Sequence, residues 1–117
     1  MADQIAQEAV RACQDAYATG QRPAREVERA AVKSLLADLV ARAPGNSVEV
    51  RVPPYAAVQV IEGIRHRRGN PPATVECDAR TLIELAIGAL TWEDAVGSAR
   101  LSASGERSDL SRLLPLL

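Results

Sequence analysis

Asp78-Ala-Arg-Thr-Leu-Ile-Glu-Leu-Ala-Ile-Gly88 is the stretch on which the reading of this chain turns. It opens on an acid suited to cap a helix and closes on a glycine suited to end one. Between them Leu82, Ile83, Leu85, Ala86 and Ile87, with Leu90 beyond, are apolar nearly all round, and only Arg80 and Glu84 are charged. An all-round apolar helix lies in the centre of a core, or it forms one wall of a lined cavity.

Downstream, Thr91 followed by Asp94 reads as a weak capping box ahead of a short helix holding Trp92 and Val96. Leu101 and Ala103 then share one face of a strand in Arg100–Gly105. Ser108 or Asp109 is placed to cap a final helix presenting Leu110, Leu113 and Leu114, with Leu116 and Leu117 at its end. So leucine-rich a helix must cover a ligand, a core or another subunit.

Upstream of Asp78 the period is two. Val48, Val50 and Val52 alternate with Glu49 and Arg51, the pattern of a half-buried strand, and Pro53-Pro54 ends it because proline cannot donate to a ladder. Residues 57–62 and 73–77 read as two more strands, separated by the basic loop Gly63-Ile-Arg-His-Arg-Arg-Gly-Asn-Pro-Pro72. Further upstream the period is helical. Ile5, Ala9, Cys13, Ala16 and Tyr17 line one face of residues 3–18, and Gly20 stops that helix. Pro23 suits the first turn of a second helix running to about Arg42. Its two adjacent stripes, Val27, Ala31, Leu35, Leu39 and Val32, Leu36, Val40, predict a wide buried face.

The expected fold is therefore α+β, one domain over residues 1–117, with a helical pair in 1–45 and a sheet with its covering helices in 46–117. With 117 residues, 47% hydrophobic and 25% charged, the composition is that of an ordinary globular domain. Only Tyr17, Tyr55 and Trp92 are aromatic, so Ala, Val, Leu and Ile must build the core. The formal net charge is −1, and acids and bases are balanced along the chain, which argues against a nucleic-acid partner. No apolar run approaches the roughly 18 residues of a membrane span, and acids stand where a signal peptide has bases; the expected location is cytoplasmic. Cys13 and Cys77 read as two reduced, partly buried thiols.

Enzyme motifs are not found. His66 is the only histidine, which rules out a three-histidine zinc site within one chain, and there is no GxSxG, P-loop or GxGxxG. The expectation is no enzyme, no metal and no cofactor. The sharp polar feature is Arg65-His66-Arg67-Arg68. It reads either as a solvated loop tip or as an anion site, since guanidinium groups meet phosphate and carboxylate bidentately and the flanking glycines free the backbone.

Leu82-Ile-Glu-Leu-Ala-Ile-Gly88-Ala-Leu-Thr-Trp92, followed by Arg100-Leu-Ser-Ala-Ser-Gly105 and by Leu110, Leu113 and Leu114, resembles the C-terminal half of the sterol carrier protein 2-like superfamily. Together with residues 48–55 and 63–72, it is most similar there to the short bacterial sterol carrier orthologues of actinobacteria. The same region is similar to the C-terminal domain of mycothiol-dependent maleylpyruvate isomerase-like proteins, whose metal-binding helical domain has no counterpart here. One position departs: where the superfamily commonly has glycine, six residues before Gly105, this chain has Ala99.

The resemblance implies a twisted sheet of about four to five strands with helices packed on one face. It implies an apolar tunnel for a fatty acyl or sterol-like molecule, lined or floored by Leu82, Ala86, Leu90 and Trp92 and closed by Leu110, Leu113 and Leu114. The function expected is a non-catalytic carrier for such an apolar ligand. Two alternatives stay open: an interaction protein with a closed tunnel, forming a homodimer or docking on a partner, and a phosphate- or anion-binding regulator using Arg65, His66, Arg67 and Arg68. A large empty cavity costs about 24 cal/mol per Å³, so a tunnel must be filled or collapsed.

Overall fold

The computed structural model describes residues 2–63 and 73–117 and has an α+β architecture. Helix α1 spans Ala2–Ala18 and α2 spans Arg25–Arg42. Gly20 ends α1 with φ +73°, while its N–H donates to the Tyr17 carbonyl and that of Gln21 to the Ala16 carbonyl. This paired arrangement satisfies carbonyls that the end of a helix leaves open.

Strands β1 (Val48–Val52), β2 (Ala56–Val60), β3 (Ala73–Cys77) and β4 (Leu101–Ser104) form one mixed sheet in the order β2-β1-β3-β4. β1 pairs antiparallel with β2 through a tight turn and parallel with β3, which in turn pairs antiparallel with β4. The period-two pattern sets which face is covered. Val48, Val50, Val52, Ala73, Val75, Cys77 and Leu101 are buried in one core with Cys13, Val32, Leu35, Leu36 and Ile83 from the helices. On the other face Arg51 stands opposite Glu76 and Glu76 opposite Ser102, all exposed, and Thr74 meets Ser104 in a hydroxyl pair at 3.1 Å. Ala103 is exposed, so of the two β4 residues expected inside only Leu101 is.

Helix α3 (Ala79–Ala86) starts where the Asp78 carboxylate accepts the Thr81 N–H at 2.9 Å. It ends before Gly88, whose φ of +81° turns the chain away, so it is shorter than the apolar run that suggested it. Helix α4 (Trp92–Gly97) is capped by Thr91 Oγ1, which accepts the Asp94 N–H at 3.1 Å. β4 follows directly.

The expected terminal helix is absent: Ser111–Leu113 makes one 3-10 turn and Leu114 is extended, with φ −112° and ψ 147°. The physical reason is Pro115. Its ring disfavours a helical backbone at the residue before it, and it has no N–H to continue a ladder. Helical register from Leu110 onward is legible in the leucines, and the proline overrules it. The segment instead lies back across α3, where the N–H groups of Leu116 and Leu117 both donate to the Ala86 carbonyl at 2.9 and 3.0 Å. One of the open carbonyls at the end of α3 is thereby satisfied from 30 residues away.

Candidate functional site

The seven residues assigned to a tunnel separate into two groups. Leu82, Ala86 and Leu110 are 4%, 0% and 3% exposed and belong to the packed core. Leu90, Trp92, Leu113 and Leu114 are half-buried against it. Three of these four, Leu90, Trp92 and Leu114, line an open groove of about 400 Å³ with Leu85, Gly88, Thr91, Glu93, Ser111, Arg112 and Pro115.

The groove exists because three chain reversals meet there. Gly88 turns the chain out of α3, Thr91 caps α4, whose first residue Trp92 lines the groove, and Leu114-Pro115 brings the last segment over the end of α3. Its lining is slightly more apolar than polar, with Leu85, Leu90, Trp92, Leu114 and Pro115 as the apolar part and Glu93 and Arg112 as charges at exposed positions. Apolar side chains beside a few polar groups are the usual composition of a small-molecule site, and the volume falls within the ordinary 300–1,000 Å³. Leu85 and Pro115 are lining residues that the sequence reading did not select. Leu85 lay in the same apolar run, but nothing local announces that Pro115 folds back onto it.

A second recess, of about 630 Å³, is lined by none of the seven. It lies between the α1–α2 connection, the β1–β2 turn and the start of α3, with Tyr17, Arg22, Arg25, Glu28, Tyr55 and Arg80 around it. Glu28 is only 8% exposed although it is charged. Tyr17 Oη donates to its Oε2 at 2.5 Å and Tyr55 Oη to its Oε1 at 2.7 Å, so each carboxylate oxygen receives a phenol. A buried carboxylate requires such partners. Burial, then the hydrogen bond and charge of Glu28, push the Tyr17 phenol well above its ordinary range. The hydrogen bond to Glu28, followed by burial, raises that of Tyr55.

Arg80 lies 5.1 Å from the centre of the Tyr17 ring and pairs with Glu84 at 2.8 Å, and Arg100 reaches the same carboxylate at 2.7 Å. Sequence reading missed this recess because its parts come from α1, α2, a hairpin turn and α3. Two of the chain's three aromatics on Glu28 is a signal only in three dimensions.

Burial raises both thiols, Cys13 to about 11 and Cys77 to about 12, so each is protonated at neutral pH. Among the described residues, no group of three or more His, Cys, Asp and Glu side chains converges on a metal position. No helix there is long and apolar enough to cross a membrane. Arg65, His66, Arg67 and Arg68 lie outside the described residues.

The family model for bacterial SCP orthologs matches residues 24–116. Among solved structures, sterol carrier protein 2-like 2 from Aedes aegypti matches with 15% identity over 70% of this chain and 92% of that one, at a TM-score of 0.43. No curated protein matches.

Proposed function

Because this chain belongs to the family of bacterial SCP orthologs, we propose that it is a non-catalytic binding module for an acyl or other apolar small molecule, held in the groove beside Trp92. The observation that carries this reading is the convergence of Leu85, Leu90, Trp92, Leu114 and Pro115 on one open recess while Leu82, Ala86 and Leu110 fill the core. A ligand lying there covers apolar surface worth about 25 cal/mol per Å² removed from water. Arg112 at the rim meets the carboxylate of an acyl chain, which orients the ligand.

Trp92 is the chain's one tryptophan, so its fluorescence reports on this groove alone. Titration with a fluorescent fatty acid gives a saturable signal with energy transfer from Trp92, displaced by unlabelled fatty acid. Leu90→Asp and Leu114→Asp, checked for folding by circular dichroism, weaken it at least about tenfold, since each puts a charge against the apolar chain. No saturable signal, together with no ligand retained in native mass spectra, overturns the reading.

A second reading, association with another copy of the chain, is favoured by Leu117, which is 55% exposed beside a shallow recess lined by Val10, Leu35 and Leu116. Light scattering over a concentration series tests it. A dimer lost in Leu117→Asp supports association, and a monomer at every concentration removes it.

A further inference from the structure

We propose that the recess around Glu28 is a second binding site, for a small organic anion: a carboxylate or phosphate monoester carried on an apolar body, with Arg22 and Arg25 as its charge contacts.

The argument rests on which charges around the recess are already engaged. Both oxygens of Glu28 hold phenols. The carboxylate of Asp78, also on the lining, accepts the Thr81 N–H as the cap of α3. Arg80 is committed to Glu84 and to the ring of Tyr17. Arg22 and Arg25 remain, both exposed and neither within salt-bridge distance of a carboxylate among the described residues. Among the described residues, the lining cations without an ion pair are therefore Arg22 and Arg25; of the two lining acids, Glu28 is buried against its two phenols, and Asp78 is exposed with its Oδ1 bonded to the Thr81 N–H.

The lining is mixed, with somewhat more polar than apolar surface, and Pro23, Pro53, Pro54 and Tyr55 supply apolar contact beside the guanidinium groups. Planar, bidentate contact is what guanidinium offers to carboxylate and phosphate, and a volume of about 630 Å³ takes a metabolite-sized molecule. Ala24 gives α2 no side-chain cap, and Glu26 and Glu28 in its first turn already complement the positive end of the helix, so the charge offered to an anion is that of Arg22 and Arg25. The acyl groove shares no lining residue with this recess, so the two sites stand or fall separately.

Amide-resolved NMR titration of the whole chain tests the proposal with four probes: inorganic phosphate, hexanoate, phenyl phosphate, and phosphatidylcholine vesicles with and without phosphatidic acid, a phosphate monoester. The expected result is a saturable shift of the amides of Gly20, Gln21, Arg22, Ala24, Arg25 and Tyr55 with phenyl phosphate and hexanoate, and a weaker one with inorganic phosphate, which lacks an apolar body. Response to the soluble probes identifies a free metabolite, and response only to phosphatidic acid vesicles identifies a lipid headgroup. In either outcome Arg22→Gln/Arg25→Gln weakens binding about tenfold or more, the loss expected for one charged contact, while Arg29→Gln, on exposed α2 surface outside the recess, does not. Both variants keep the wild-type fold because all three side chains are exposed. No saturable shift with any probe, or a shift unchanged in the double variant, overturns the site. Trp92 fluorescence with fatty acid is read in the same samples, so loss of one site is distinguished from loss of the other.

Discussion

Arg42 donates from Nη2 to the Leu116 carbonyl at 2.6 Å, across 74 positions of sequence. Its Nη1 reaches the carbonyls of Leu113 at 3.2 Å and Pro115 at 3.1 Å. One guanidinium at the end of α2 therefore holds three carbonyls of the segment that forms one side of the candidate groove. The segment has only a single 3-10 turn of its own, and its backbone polar groups need partners from elsewhere.

Replacing this clamp should loosen the segment more than it damages the core. Arg42→Ala is expected to cost about 1–2 kcal/mol in urea unfolding, the value of hydrogen bonds to a charged group reduced by their exposure. Hydrogen exchange at Leu116 and Leu117 should accelerate, with Val50 and Val75 unchanged. Lysine, with a single ammonium, cannot span three carbonyls and should restore only part of the loss.

Ala99 occupies the left-handed region, with φ +62°, at the position where the superfamily resemblance leads one to expect glycine. A side chain there costs about 1–2 kcal/mol, and glycine's extra freedom in the unfolded chain takes back about 0.4–1 kcal/mol. Ala99→Gly is expected to stabilise by roughly 0.5–1 kcal/mol, seen as a higher urea midpoint with an unchanged slope. The turn into β4 is made without the glycine, and the strain remains in the backbone.

The Tyr17-Glu28-Tyr55 arrangement makes a non-additive prediction. Tyr17→Phe or Tyr55→Phe should each cost about 1–2 kcal/mol by leaving one oxygen of a buried carboxylate without its donor. The double variant should differ from the sum by 0.5 kcal/mol or more, because roughly that much coupling is expected of two groups sharing one partner. Simple additivity in a double-mutant cycle would show the two phenols to be independent.

Stability should fall above pH 9. Cys13, Cys77 and Tyr17 all hold their protons more tightly folded than unfolded, chiefly through burial. The stability these groups contribute is complete below their unfolded values of about 9 for the thiols and 10 for the phenol. It is lost as pH rises toward the folded values, at no more than about 1.4 kcal/mol per pH unit for Cys77. Urea midpoints at pH 7.5 and 10.5 measure this, and the two thiols should react with a disulfide reagent only slowly until the protein unfolds. Equal midpoints, or fast native labelling at pH 7.5, would contradict it.

The β1 valines, the α2 stripes and the Asp78 and Thr91 caps were legible because each is a local pattern. Period two commits a strand to one buried face, period 3.6 commits a helix to one stripe, and a cap acts within three residues. Val48, Val50 and Val52 are all inside, as are Ala31, Leu35 and Leu39. Ile5 fails at 64% exposure because it lies near the first turn of α1, beyond the helices and strands that cover Ala9 and Cys13.

Of the residues lining the candidate groove, Leu90, Trp92 and Leu114 were named through the resemblance to the sterol carrier superfamily rather than from any local pattern. Composition and period alone determined that this chain is a small α+β domain with an aliphatic core. Where that core stops and a recess begins was decided in three dimensions. Pro115 ends the leucine pattern as an extended strap, Arg42 and Ala86 hold the strap in place, and Glu28 collects one phenol from α1 and one from the β1–β2 turn. Patterns along a chain record which face of an element is buried; which surface covers that face depends on contacts between residues up to 74 positions apart, and those exist only once the chain has closed on itself.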